Sequence, residues 1–353
     1  MPEARIIQLH RPEDGAAVSE LRAAPEVETP AEASAPGMSA PGMSAPGTSA
    51  PGTSAPELSA SELSASELSA SELSQWYEDL ADLLAFVRRR ISGDYDVDEF
   101  GFDPDLTDNV LLPLLRPLYR KWFRVETIGM HHVPSEGGAL VVANHSGTLP
   151  LDALMTAVAV HDQHPAGRYL RMLGADLLFR TPLLGSIARK SGQTLACSPD
   201  TERLLDSGEL VGVWPEGFKG IGKNFRDRYK LQRFGRGGFV SAALRTKASI
   251  IPCSIVGAEE IYPMIGDIKP LARLLGVPYF PVTPLFPLLG PLGMIPLPSK
   301  WYIEFGEPIH TDFAEPGAAE DPMLVFNLTD QVRETIQQTL YRLLTQRRNA
   351  FVG

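Results

Sequence analysis

The chain has 353 residues, 44% of them hydrophobic and 21% charged, with a formal net charge of −11; the length alone would accommodate two average domains. Two isolated cysteines, Cys197 and Cys253, supply neither a disulfide framework nor a zinc cluster, so no metal is expected, and nothing in the charge balance suggests a nucleic-acid partner. Residues 1–74 hold three Arg and eleven Asp or Glu, a net of −8, which leaves −3 for the remainder and makes the acidity mostly a property of one end.

That end is a low-complexity tail. Residues 34–73 run in eight five-residue units, first Ser-Ala-Pro-Gly-Met or Thr, then Ser-Ala-Pro-Glu-Leu, then Ser-Ala-Ser-Glu-Leu. Such a segment has too little apolar surface to offset the entropy of ordering its backbone, so residues 1–74 are read as disordered, with at most nascent helix leading into Gln75. One folded unit of about 280 residues remains. The first residues lack a basic flank followed by an apolar run, so no secretory signal is expected. No eighteen-residue apolar stretch occurs either, and the nearest candidate, residues 278–298, contains seven prolines.

Residues 75–91 carry apolar side chains at helical spacing and end in three arginines, which predicts an amphipathic helix. An acidic loop over 93–105 follows. Residues 106–124 combine leucines, Trp122 and Phe123 with Arg116, Arg120, Lys121 and Arg124. That composition suits an interfacial segment among anionic headgroups, and equally a core-packing helix with snorkelling cations. From there short β-like runs at 139–143, 169–173, 210–214, 250–256 and 301–305 alternate with helix-like segments, and 323–348 has helical spacing. The alternation predicts an α/β fold: a mainly parallel central sheet flanked by helices, with functional loops at the strand ends. The implied organisation is a tail (1–74), amphipathic helices that face a membrane or the core (75–124), and an α/β domain (125–353).

His145 and Asp152 lie in Ala143-Asn144-His145-Ser146-Gly147-Thr148-Leu149-Pro150-Leu151-Asp152, directly after the first of the long strands. A histidine at a strand end can take a proton from an attacking hydroxyl near neutral pH. In a continuous helix the two residues would stand roughly 10 Å apart. Gly147 and Pro150 argue instead for a turn with a helix starting near Pro150, which would return the carboxylate to the imidazole. The plainer reading of Asp152 is an acid in a first helical turn, favourable to the macrodipole. A second block, residues 210–217, is a strand running into Trp214-Pro215-Glu216-Gly217. Lys219, Lys223, Arg226, Arg228, Lys230, Arg233 and Arg236 follow within nineteen residues, with Asp227 the one acid. Glycines 217, 220 and 222 let backbone amides approach an anion, and the cations offer charge-assisted bonds to phosphate. Residues 217–223 also fit G-x-x-x-x-G-K, but Asn224 stands where a Ser or Thr hydroxyl should hold magnesium, so a P-loop nucleotide site is a minor alternative. There is no G-x-S-x-G elbow for a serine hydrolase.

Asn144-His145 with Asp152, Pro215-Glu216-Gly217 with its basic sequel, and Ile250-Ile251-Pro252-Cys253 followed by Gly257 resemble three ordered blocks of the glycerolipid (lysophospholipid) acyltransferase superfamily, over residues 120–310. The resemblance implies His145 as general base on an acceptor alcohol, Asp152 orienting it, and the Glu216-Gly217 block binding the acceptor; Asn144 and the nearby cations Lys219, Lys223, Arg226 and Arg236 are read as further substrate-binding residues. It also implies acyl-CoA or acyl carrier protein as co-substrate, no further cofactor, and a lipid acceptor. Two departures stand out. Six residues separate the histidine from the aspartate where the family has four, similar to the branch of mono- and diacylglycerol acyltransferases. The common Glu-Gly-Thr-Arg reads Glu216-Gly217-Phe218-Lys219, and a lysine lacks arginine's planar bidentate fork.

The expected function is therefore acyl transfer to a lipid hydroxyl at the cytoplasmic face of the membrane, the protein lying on the bilayer as a peripheral or monotopic protein. Residues 278–298 would line an acyl-chain groove, dip into the bilayer or form an ordinary buried loop. A non-catalytic lipid- or membrane-binding protein on the same fold is the alternative from a different class. Oligomeric state is not legible.

Overall fold

The computed structural model describes residues 70–351. The disorder expected of the tail concerns residues that lie outside this range, apart from its last few positions. Nine strands occur among the described residues: β1 (Glu126–Ile128), β2 (Ala139–Ala143), β3 (Leu170–Gly174), β4 (Thr194–Leu195), β5 (Leu210–Val213), β6 (Ser249–Val256), β7 (Gly266–Asp267), β8 (Pro281–Val282) and β9 (Tyr302–Phe305). Seven of them form one sheet in the order β1-β9-β6-β2-β5-β3-β4, and β7 and β8 make a separate antiparallel pair. From β6 to β4 every pairing is parallel; β9 runs antiparallel to β6, and β1 is parallel to β9. The sheet is thus mainly parallel, as the strand–helix alternation predicted.

β2 shows why its sequence, Ala-Leu-Val-Val-Ala, does not alternate with polar residues: all five are buried because both faces of the sheet are covered. Ala139, Val141 and Ala143 point into one core, with Met155, Val158 and Ala159 of the helix Leu151–Gln163. Leu140 and Val142 point into the other, with Leu204, Val240, Val332, Ile336 and Leu340 from three further helices. β6 divides in the same way, Ile251, Cys253 and Ile255 against Ile250 and Val256. On the second face the helix Pro322–Gln346 is capped by Asp321, whose carboxylate accepts from the amides of Met323 and Leu324. It buries Val325, Leu328, Val332, Ile336, Leu340 and Leu343, a stripe at helical spacing.

Residues 104–122 are helical with two π turns. One side of this segment packs into the core, while Leu114 and Trp122 stay exposed. Leu112, Tyr119 and Phe123 are buried, and Phe123 stacks on Trp301 with ring centroids 4.5 Å apart. Arg116 donates to both carboxylate oxygens of Asp162 (2.8 and 2.9 Å), and Arg120 pairs with the same group at 3.1 Å. These cations hold the segment to the helix Leu151–Gln163. Upstream, the helix Ala70–Ser92 is tethered by Arg90, which donates to both oxygens of Asp103 (2.6 and 2.7 Å). Its Leu83, Leu84, Val87 and Ile91 remain exposed.

Because β6, β2 and β5 are adjacent and parallel, their C-terminal ends open on one edge of the sheet. The residues after each strand, Asn144 onward, Trp214 onward and Gly257 onward, are thereby gathered from distant parts of the chain.

Candidate active site

Asn144 closes β2 onto its neighbour: its amide donates to the carbonyl of Ile255 (3.0 Å) and its oxygen accepts from the Ile255 amide (2.7 Å). The residue is fully buried and both ends of its side chain are engaged, so it anchors the residue that follows. His145 follows, and the chain then turns at Gly147, whose φ of +80° suits glycine. The helix Leu151–Gln163 starts immediately after Pro150, putting Asp152 in its first turn.

This turn brings the carboxylate back to the imidazole: His145 Nδ1 and Asp152 Oδ2 lie 2.7 Å apart. Oδ2 also accepts from the Ser146 amide (2.9 Å), and Oδ1 accepts from the Ala153 amide (2.9 Å). Asp152 is fully buried, and three N–H donors converge on it. A carboxylate so surrounded favours the tautomer with the proton on Nδ1, which leaves Nε2 as the basic nitrogen. The imidazole keeps 14% of its surface exposed, and Nε2 has no hydrogen-bond partner among the described residues. Ser146 Oγ, Thr148 Oγ1 and Trp214 Nε1 are buried without a partner there as well. All three belong to His145's own turn or to a ring that flanks it, at 6.1 Å between centroids for Trp214. They are unspent hydrogen-bonding capacity beside the imidazole.

Glu216 lies beneath the histidine. One oxygen accepts from the His145 amide (2.9 Å), the other from the Gln232 amide (2.6 Å). Lys223 Nζ stands 3.4 Å from Glu216 and 3.0 Å from Glu259, whose second oxygen accepts from the Tyr229 amide (3.0 Å). Burial pushes the Glu259 carboxyl up to about 7, against the opposing pull of Lys223. Gly220 packs against this arrangement so closely that a Cβ there would meet Glu216 Cβ at 2.7 Å and the His145 carbonyl oxygen at 2.9 Å.

The residues picked from the sequence therefore divide. His145 and Asp152 meet. Glu216 is buried and braces the histidine's backbone; Gly217 is exposed at the turn, with φ +53°. Lys223, expected among the anion-facing cations, is buried between two carboxylates, which also removes the lysine that a P-loop would need. Arg226 points to solvent and pairs with its neighbour Asp227. Lys219 and Arg236 do come together, with Arg233 and Gly235, around a hollow of about 300 Å3, and none of these three cations has an ion pair among the described residues. Glu259 was not singled out beforehand, whereas Gly220 and Arg233 were named only within the glycine and basic run that follows β5. An acid pair, Glu259-Glu260, directly after the apolar strand β6 was the available signal for the first.

Alongside the histidine turn runs an apolar cleft of about 370 Å3. Thr148 and Leu149 form one wall, Phe218 and Ile221 another, and Tyr279, Phe280, Phe286 and Met294 close it. Tyr279 donates from its hydroxyl to the Thr148 carbonyl (3.1 Å), and burial together with the charge of Asp152 pushes that hydroxyl's pKa up. Among the described residues no group of three or more His, Cys, Asp or Glu could hold a metal ion, and no helix is long and apolar enough to cross a membrane.

An acyltransferase family model matches residues 124–256, the span that carries both strand-end blocks. The chain is 64% identical over 280 residues to an uncharacterized protein of Mycobacterium tuberculosis, the match covering 78% of each. It is 26% identical over 197 residues, 54% of each chain, to a Bos taurus protein named DGAT1/2-independent enzyme synthesizing storage lipids. The crystal structure of the 1-acyl-sn-glycerophosphate acyltransferase PlsC from Thermotoga maritima superposes with a TM-score of 0.44 at 15% identity, covering 77% of this chain and 99% of that one. With a histidine–aspartate pair at the end of β2 inside the matched span, the chain belongs to an acyltransferase family and is an acyltransferase.

Proposed function

We propose that this acyltransferase moves a fatty acyl group from acyl-CoA or acyl carrier protein to a hydroxyl of a glycerolipid acceptor at a membrane surface, with His145 as general base. One observation carries the reading: a fully buried carboxylate 2.7 Å from Nδ1, with Nε2 free on a partly exposed ring. Nε2 would take the acceptor's hydroxyl proton as its oxygen attacks the thioester carbonyl. Collapse of the tetrahedral adduct breaks the carbon–sulfur bond, and the imidazolium returns the proton to the departing thiolate. Asp152 would hold the tautomer and stabilise the imidazolium. The apolar cleft beside the turn suits the acyl chain, and the partnerless Ser146, Thr148 and Trp214 atoms suit the polar atoms at its head. Lys219, Arg233 and Arg236 offer positive charge to a phosphate of the donor or the acceptor. The storage-lipid name of the Bos taurus relative favours a glycerolipid as acceptor.

The test is release of free thiol from acyl-CoA in the presence of glycerol phosphate, lysophosphatidic acid, mono- or diacylglycerol. His145→Ala should lower turnover by about 10²–10⁴ with an unchanged circular-dichroism spectrum. A folded variant that keeps more than a tenth of wild-type transfer refutes the assignment.

A further inference from the structure

Between Arg273 and Lys300 the chain runs for 26 residues without a charge. Its side chains are not withdrawn into the core. Leu274, Leu288 and Leu292 are 81%, 84% and 66% exposed, and Leu275, Leu289, Met294 and Ile295 are exposed too. Single exposed leucines are ordinary, but seven large apolar groups within 22 residues of one excursion are not. The other side of the same excursion, through Val277, Tyr279, Phe280, Pro281 and Phe286, lines the apolar cleft that reaches the histidine turn. Seven prolines lack an N–H altogether, and the amides of Leu289, Gly290 and Ile295 are satisfied within the segment, so it brings few free donors into an apolar medium.

The charge around this rim selects its occupant. From Ile268 to Lys300 there is no acid, while Lys269 and Arg273 lie on the short helix Lys269–Leu275 that also presents Leu274 and Leu275. Both cations are exposed and have no ion pair among the described residues. A two-fold contact with a second copy would set like charges against each other, whereas anionic lipid headgroups above an acyl layer match both features.

We infer that residues 274–299 are the surface by which this protein docks on a lipid bilayer, its leucines in the acyl region and Lys269 and Arg273 at the headgroups. A lipid chain then passes from the bilayer into the cleft without crossing water. The inference rests on the proposed function only in taking the acceptor to be a membrane lipid.

The experiment is co-flotation of the full chain with phosphatidylcholine vesicles, with and without phosphatidylglycerol. Wild type should bind, more tightly to the anionic vesicles. Burial of each leucine is worth about tenfold in partitioning, so L288D/L292D should bind roughly 100-fold more weakly. K269E/R273E should lose the preference for phosphatidylglycerol, by about fivefold per cation. Neither double variant touches the histidine turn, and each should keep the wild-type melting temperature and turnover on a short-chain, water-soluble acyl thioester. L288D/L292D that binds vesicles like wild type overturns the proposal. So does a wild type that sediments as a dimer dissolved by the same variant while binding no vesicles, which would make the face a contact between copies. A protein inert towards every acyl thioester that still needs Leu288 and Leu292 for vesicle binding would refute the proposed function and leave the docking surface standing.

Discussion

Replacing Asp152 by asparagine tests the site at its centre. The carboxylate receives three N–H donors, from His145 Nδ1, Ser146 and Ala153, and none of them can be served by an amide nitrogen. With its oxygen towards His145, the amide keeps two bonds and sets its NH2 against the Ala153 amide. Turned over, it satisfies Ala153, donates to Nδ1 and opposes Ser146. Either way one buried donor is stranded, at about 1–3 kcal/mol of stability, or roughly 2–4 °C in melting temperature per kcal/mol for a domain of this size. The kinetic cost differs between the two. The first orientation retains the proton on Nδ1 but replaces a charge-assisted bond by a neutral one, which weakens the imidazolium by one to two orders of magnitude. The second moves the proton to Nε2 and removes the base, a change worth roughly 10⁴ in a serine-protease triad. The expected loss in kcat/KM is thus about 10–10⁴, measured by thiol release alongside a thermal melt. A D152N variant that melts several degrees lower yet transfers acyl groups at the wild-type rate would refute the orienting role and leave Asp152 as an acid favourable to a helix N-terminus.

Gly220→Ala should hurt activity more than stability. The new methyl has to displace His145 or Glu216, an overpacking cost of about 1–3 kcal/mol concentrated on the histidine turn, read as a kcat/KM loss beyond that expected from the melting temperature. The Glu259 carboxyl, raised to about 7 from an unfolded value of 4.5, binds its proton more tightly folded than unfolded. Its contribution is therefore complete below pH 4.5 and is lost as the pH rises through 7, by roughly 3 kcal/mol. Denaturant melts of E259Q should lack that part of the wild-type slope between pH 4.5 and 7; equal slopes would exclude the buried carboxyl as its source. For the cation hollow, R233E/R236E should raise KM for a phosphate-bearing substrate tenfold or more with kcat little changed, and should weaken the salt dependence of kcat/KM. An unaltered KM would place the phosphate elsewhere.

What the sequence determined by itself was whatever short-range sterics encode. The five strands read from apolar runs lie within one residue of β2, β3, β5, β6 and β9. The return of Asp152 to His145 followed from Gly147 and Pro150, because a positive φ and a missing amide restrict a seven-residue loop to few paths. β1, β4, β7 and β8, two or three residues each, are too short to show a period. The partners of charged residues belong to the tertiary structure. Glu216 meets the His145 amide across 71 positions, and Lys223 meets Glu259 across 36, because parallel strands carry distant segments to one edge of the sheet. Until those strand ends converge, a lysine in a basic run and a lysine locked between two carboxylates look alike. The same holds for residues 104–122, whose arginines are claimed by Asp162, and for residues 274–299, which line a cleft on one side and stay bare on the other. Composition supplies a side chain's chemistry, but its burial and its counter-charge are set by long-range packing, which decided which of these cations remain free to meet an anion.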